Sequence, residues 1–246
     1  MGEAFITRRG SKNEAILTYD NATFGLSGDN LLIRSTPTVL SQERTDLAGA
    51  SVGNYALFAG GSASGWGYYN TVDAYNTSLV RSTPLALSQA RESLAGASVG
   101  NYALFAGGYF YTNTVDAYNT SLVRSTPLAL SQEKYDLAGA SVGNYALFAG
   151  GRDDDDAVNT VDAYNTSLVR STPTVLSKAR YSAAGASVGN YALFAGGRNY
   201  DTYFNTVDAY DTSLVRSIPT ALSQARSNLA GASVGNYALF AGGYFY

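Results

Sequence analysis

The segment AGASVGNYALFAGG, first met at residues 48–61, is written five times almost letter for letter, beginning at Ala48, Ala95, Ala138, Ala184 and Ala230. Successive starts lie 47, 43, 46 and 46 residues apart, a spacing that marks a propeller or a repeat array. Between each Gly-Gly and the next Asn-Thr stand 8, 4, 7 and 7 residues, and removing them leaves 39 every time. One loop per repeat therefore absorbs all the length variation, and the remainder is held in register.

Each repeat reads as four short strands. In the second copy, AGASV (Ala95 to Val99) is built from small residues and ends at Gly100-Asn101, a pair with easy access to positive φ. YALFAGG (Tyr102 to Gly108) carries apolar residues on both faces, as a strand sandwiched between two layers requires. TVDAY (Thr114 to Tyr118) alternates and turns at Asn119-Thr120-Ser121, and LVRS (Leu122 to Ser125) runs to Pro127. All five prolines follow this fourth strand, where an outer edge tolerates a missing donor. With 46% hydrophobic residues, 14% charged residues and 26 glycines, the composition suits strands and turns better than helices. The expectation is one all-β domain over 14–246, preceded by a tail at 1–13.

A four-stranded meander cannot bury two apolar faces alone, so neighbours must stack on it, and radial stacking leaves only short edges. The chain phase suggests closure. The C-terminus stops after a fifth pair of first and second strands, while Leu31 to Arg44 match Ser78 to Arg91 and supply an unpartnered fourth strand. Upstream, EAILTYD at 14–20 reads as a third strand. The fold expected is a five-bladed β-propeller of four-stranded antiparallel blades, its last blade a clasp of N- and C-terminal strands.

The order of small strand, YALFAGG, NTVDAYN and LVRSTPLALSQAR resembles the kelch repeat, with its Gly-Gly pair, later Tyr and terminal Arg. The resemblance covers 31–246 and implies a propeller. It departs from the family at the motif's Trp, where Leu79-Val80, Leu122-Val123, Leu168-Val169 and Leu214-Val215 stand instead. MGEAFITRRG at the start is similar to the beginnings of phage and prophage tail-associated proteins.

In an up-and-down blade, the loop between second and third strands and the link to the next blade lie at the same end. These are the two stretches that vary. The links read ERTD, ARES, EKYD, ARYS and ARSN, whereas the opposite turns VGN and YNTS scarcely change. One diversified face on a constant scaffold is the layout of a recognition surface. Its loops are rich in Tyr, Gly, Ser, Asn, Asp and Arg, the residues paratopes favour. The expected contact residues are Trp66, Tyr68, Tyr69, Tyr109, Phe110, Tyr111, Arg152, Arg198, Tyr200 and Tyr203 from the loops, with Tyr135 and Tyr181 from the links. Arg44, Arg91, Arg180 and Arg226 also fall near this face, with Lys134 at the same position, to contact an acidic ligand or to pair between blades. The repeated Asp73, Asp116, Asp162 and Asp208 read as blade-to-blade ion-pair or hydrogen-bond acceptors, with Arg81, Arg124, Arg170 and Arg216 as partners.

Chemistry has little to work with. There is no histidine and no cysteine, which removes the commonest base, metal ligand and nucleophile. Copper-radical oxidases built on kelch propellers need both. Asp153, Asp154, Asp155 and Asp156 form a weak Ca²⁺ candidate without EF-hand spacing and read better as a solvated tip. Asn-Thr-Ser at Asn76, Asn119 and Asn165 fits glycosylation sequons but reads better as turn chemistry. A formal charge of −3 gives no reason to bind nucleic acid or an anionic membrane. No signal peptide is visible, and no apolar run approaches the roughly 20 residues of a membrane span. Virion-associated and cytoplasmic settings both fit. No cofactor is expected. The leading expectation is a non-enzymatic binding module, such as a phage tail or surface adhesin component, whose partner is a host-surface glycan or protein. An assembly propeller mediating oligomer contacts is the alternative, and a glycan hydrolase a remote one; oligomeric state stays open.

Overall fold

The computed structural model describes residues 5–8, 15–19, 22–25, 36–63, 67–110, 112–154 and 156–245, and the chain divides into two compact units, Met1–Pro37 and Thr38–Tyr246. In the first unit Ala15–Tyr19 lies between Phe5–Arg8 and Ala22–Gly25 in an antiparallel sheet. Both edges of Ala15–Tyr19 are thus occupied by N-terminal neighbours, so this strand does not extend the fifth repeat as its third strand. A strand at Phe5–Arg8 also falls where a tail was expected. The expected fourth strand from Leu31 lies, up to Ser35, outside the described residues.

The second unit is all-β, without a helix among the described residues. Four repeats each form a four-stranded antiparallel sheet in chain order, and the fifth contributes the pair Ala230–Val234 and Tyr237–Ala241. The second repeat stands for the others: Ala95–Val99 pairs with Tyr102–Ala106, that strand with Val115–Asn119, and the last with Arg124–Ser125. The fourth strand is shorter than expected because Leu122 takes φ 60° within the turn. Asn119 Oδ1 closes that turn by accepting from the N–H of Ser121 and of Val123, both at 3.0 Å. The sequon asparagines are thus engaged in turns, as Asn76 and Asn165 do the same.

Packing between sheets makes the core. Ala103, Leu104, Phe105 and Ala106 are all inaccessible, because one sheet covers each face of this strand. Leu104 and Val115 pack against Phe148 and Tyr164 of the following repeat, and Leu57 and Val72 against Phe105 and Tyr118 in the same way. The first strands stack on one another from Ala48–Val52 through to Ala230–Val234. Their approach is so close that a Cβ on Gly96 would collide with the carbonyl oxygen of Gly49, and the same collision explains the glycines at Gly139, Gly185 and Gly231. Ser98 Oγ bridges the same two strands, donating to Ser51 O at 2.6 Å and accepting from Ser51 N at 3.1 Å. Small residues at the first strand and edge-on Phe–Tyr pairs at the second and third, such as Phe105–Tyr118 at 6.0 Å, make each layer a wedge.

The two ends of the stack are uncovered among the described residues. The whole of Ala230–Val234 is exposed, as are Gly49 and Ser51 of the first repeat. The closed ring expected from the repeats is therefore not seen, since no described sheet of the second unit lies against either end.

Candidate functional site

The two variable stretches of each repeat meet through backbone hydrogen bonds. Thr45 pairs with Ser62, Tyr135 with Arg152, Tyr181 with Arg198 and Ser227 with Tyr244. In the second repeat Tyr109 N donates to Glu92 O at 2.8 Å. The invariant Gly-Gly makes this junction possible. Gly61 adopts φ 102°, and its N–H donates to Arg91 O of the following link at 2.9 Å. A side chain on Gly60 would lie 2.6 Å from that same carbonyl oxygen. A constant backbone thus holds link and loop side by side while their side chains change.

Beneath the links runs a row of buried ion pairs. Arg44 reaches Asp73 at 2.7 Å, Arg91 reaches Asp116 at 2.9 Å, Lys134 reaches Asp162 at 3.1 Å and Arg180 reaches Asp208 at 2.8 Å, with both side chains inaccessible in every pair. Burial draws the pKa of Arg91, Lys134 and Arg180 down, and the facing aspartate opposes it. Each aspartate also anchors the link backbone, Asp116 accepting from Ser88 N at 3.2 Å. The expected partners are only secondary: Arg124 stands 3.7 Å from Asp116 and is partly exposed. Of the two expectations for Arg44, Arg91 and Arg180, an ion pair is what the structure shows, with the charged ends buried inside the fold and not presented to a ligand. Arg226, the fifth cation of the series, instead donates to Gly242 O at 3.2 Å, where the fifth repeat shows no third strand among the described residues.

Over this row lies a ribbon of stacked rings and guanidinium groups. Tyr68 meets Phe110 edge-on at 4.6 Å, and Tyr109 meets Tyr135 at 5.0 Å. Arg152 lies over Tyr135 at 4.5 Å and over Tyr181 at 5.0 Å. Arg198 continues over Tyr181 at 5.1 Å and Tyr203 at 5.8 Å, while Tyr200 meets Tyr181 at 6.1 Å. The ribbon crosses four consecutive repeats, and nine of the expected contact residues belong to it. Tyr135 and Tyr181 are buried as its base, whereas Phe110 at 49% and Tyr200 at 55% exposure are its outward rings. Hydrogen bonding to Tyr203 raises the pKa of Arg198, so its charge is secure. Tyr69 stands apart on the loop's return, its N–H donating to Gly61 O at 2.8 Å. Trp66, Tyr111 and Asp155 lie outside the described residues.

Asp153 and Asp156 cap their own turn, Asp156 N donating to Asp153 Oδ1 at 3.0 Å. Among the described residues no group of three or more acidic side chains is placed to hold a metal ion.

A second feature had no warning in the sequence reading. The last link residue of every repeat, Asp46, Ser93, Asp136, Ser182 or Asn228, adopts positive φ between 53° and 57°. The N–H of each of the last four donates to the carbonyl of its predecessor: Ser93 to Asp46 at 3.0 Å, Asp136 to Ser93 at 3.0 Å, Ser182 to Asp136 at 2.9 Å and Asn228 to Ser182 at 2.9 Å. These five positions line one cavity of about 350 Å³, with Leu47, Leu94, Leu137, Ala183 and Leu229 beside them. Burial raises the pKa of Asp136, and Arg152 at 3.4 Å opposes the shift. The available signal was the restriction of this position to short polar residues directly before an apolar one.

No family model matches the chain, and none of the curated proteins compared with it does.

Proposed function

We propose that the chain is a recognition module without chemistry of its own, which presses its diversified face against a surface glycan or protein. The observation that carries this reading is the ribbon: it is assembled from both variable stretches of four repeats and stands on an invariant backbone. Rings held by neighbouring rings and guanidinium groups lose little entropy on binding, and Tyr and Arg are the residues that dominate interface energetics. The charged groups of the ribbon are engaged with one another, Arg152 with Asp136 and Arg198 with Tyr203, an arrangement suited to contact and ill suited to proton transfer. A phage tail or surface adhesin fits this role and the resemblance of the first ten residues.

We read the repeats as blades of a kelch-like β-propeller. Support comes from the cavity that all five repeats line, since five successive repeats share a cavity when they fan about a common axis. Further support comes from the link after Thr38, which docks on the first repeat as later links dock on theirs. Tyr75 Oη donates to Thr38 O just as Tyr118 Oη donates to Leu85 O, both at 2.7 Å.

An assembly role is the second reading, favoured by the uncovered end where Val234, Tyr237 and Leu239 are 52–71% exposed. The deciding experiment compares the protein with a Phe110→Ala, Arg152→Ala, Tyr200→Ala variant on cells of the source's host. Loss of cell binding with an unchanged melting curve supports recognition. Retained binding, or a shift in solution mass alone, favours assembly.

A further inference from the structure

The cavity framed by Asp46, Ser93, Asp136, Ser182 and Asn228 lies on the same face as the ribbon, because each of its residues directly follows a link residue paired to a variable loop. Positive φ costs an L-residue energy, least for Asn and Asp and more for Ser. Glycine, free of that cost and used at 26 positions elsewhere, stands at none of these five. Short polar side chains are thus retained where the backbone would do better without them. Two carboxylates accept, and two hydroxyls and one amide both donate and accept. Four leucines and Ala183 at the next position provide an apolar floor. No cation lines the cavity itself, and Arg152 faces only Asp136, at 3.4 Å, so an anion would meet Asp46 without a facing cation. Its volume of about 350 Å³ is at the small end of ligand sites, which start at roughly 300 Å³.

We propose that this mouth is a saccharide subsite, taking one neutral, hydroxyl-rich ring whose C–H face rests on the leucines and whose hydroxyls bond to the five polar side chains. The proposal rests on the recognition reading and gives its ligand a chemical class. A sugar hydroxyl both donates and accepts, which matches a rim that mixes acceptors with donor–acceptor groups.

The test uses saturation-transfer NMR on the full chain with glucose, galactose, mannose and N-acetylglucosamine as separate probes. A Ser93→Gly, Ser182→Gly, Asn228→Gly variant removes three side chains while easing their positive φ, so its fold is retained. At least one sugar is expected to saturate the unaltered protein and to bind the variant about tenfold more weakly or not at all. No saturation by any sugar, or equal binding by the variant, overturns the proposal. An equal response to ethanolamine, a small cation, overturns the assignment to saccharides. Loss of cell binding in the ribbon variant without any sugar response would refute the mouth and leave the wider recognition reading standing.

Discussion

At the scale of the residue, partner choice decides which charges hold the fold and which face outward. Asp116 is bonded by Arg91 and by Ser88 N, and none of these charged ends meets water. Asp116→Ala strands a buried guanidinium, so it should cost about 3–5 kcal/mol in a urea titration. Arg124→Ala, which removes a partly exposed cation 3.7 Å away, should cost less than about 1 kcal/mol. This pairing was only half legible. Sequence proximity favoured Arg124, eight residues from Asp116, whereas the true partner lies 25 residues upstream and reaches the aspartate only once the link has docked. The cavity residues were missed for a related reason, because Ser93, at φ 53°, takes its backbone hydrogen bond from the preceding repeat and not from its sequence neighbours. Buried tyrosines set the alkaline limit. Tyr118, Tyr164 and Tyr210 are inaccessible, and burial pushes each phenol far above its ordinary value near 10. The folded chain holds the neutral form, so their contribution is fully present below pH 10 and is lost as pH rises beyond it. Urea midpoints should be level from pH 7 to 9 and fall steeply near pH 10.5.

Among elements, the strands were the readable part. Ala95–Val99 and Tyr102–Ala106 stand where the small residues of the first, the two apolar faces of the second and the Gly-Asn turn between them placed them. The fourth strand was over-read because Leu122 and Val123 look like strand residues, yet they serve the turn closed by Asn119. The variable loops lie outside the 39 fixed residues; their ends pair with the links, and their tips bond within themselves, as Asp153 N does to Asp156 O at 3.1 Å. Replacing residues 152–158 by the four-residue sequence of 109–112 should therefore change stability by less than about 1 kcal/mol, checked by chemical denaturation. A larger loss would mean that the loops carry the fold as well as vary on it.

For the whole molecule the open question is how the stack ends. A Cβ on Gly96 would collide with Gly49 O, and Gly139, Gly185 and Gly231 repeat that collision with their predecessors. Gly49 alone has only ordinary contacts, the nearest being Phe58 at 3.7 Å. If the fifth repeat closes against the first, Gly49 stands to Gly231 as Gly96 stands to Gly49. Gly49→Ala is then expected to lower stability as much as Gly96→Ala, by about 1–3 kcal/mol in thermal or urea unfolding. A harmless Gly49→Ala beside a costly Gly96→Ala would mean an open array. Recognition through the face carried by these repeats stands or falls on cell binding of the Phe110→Ala, Arg152→Ala, Tyr200→Ala variant at matched folding. Binding reduced at least tenfold is predicted. Undiminished binding by a folded variant would contradict the claim that the ribbon is what this protein uses to recognise its partner.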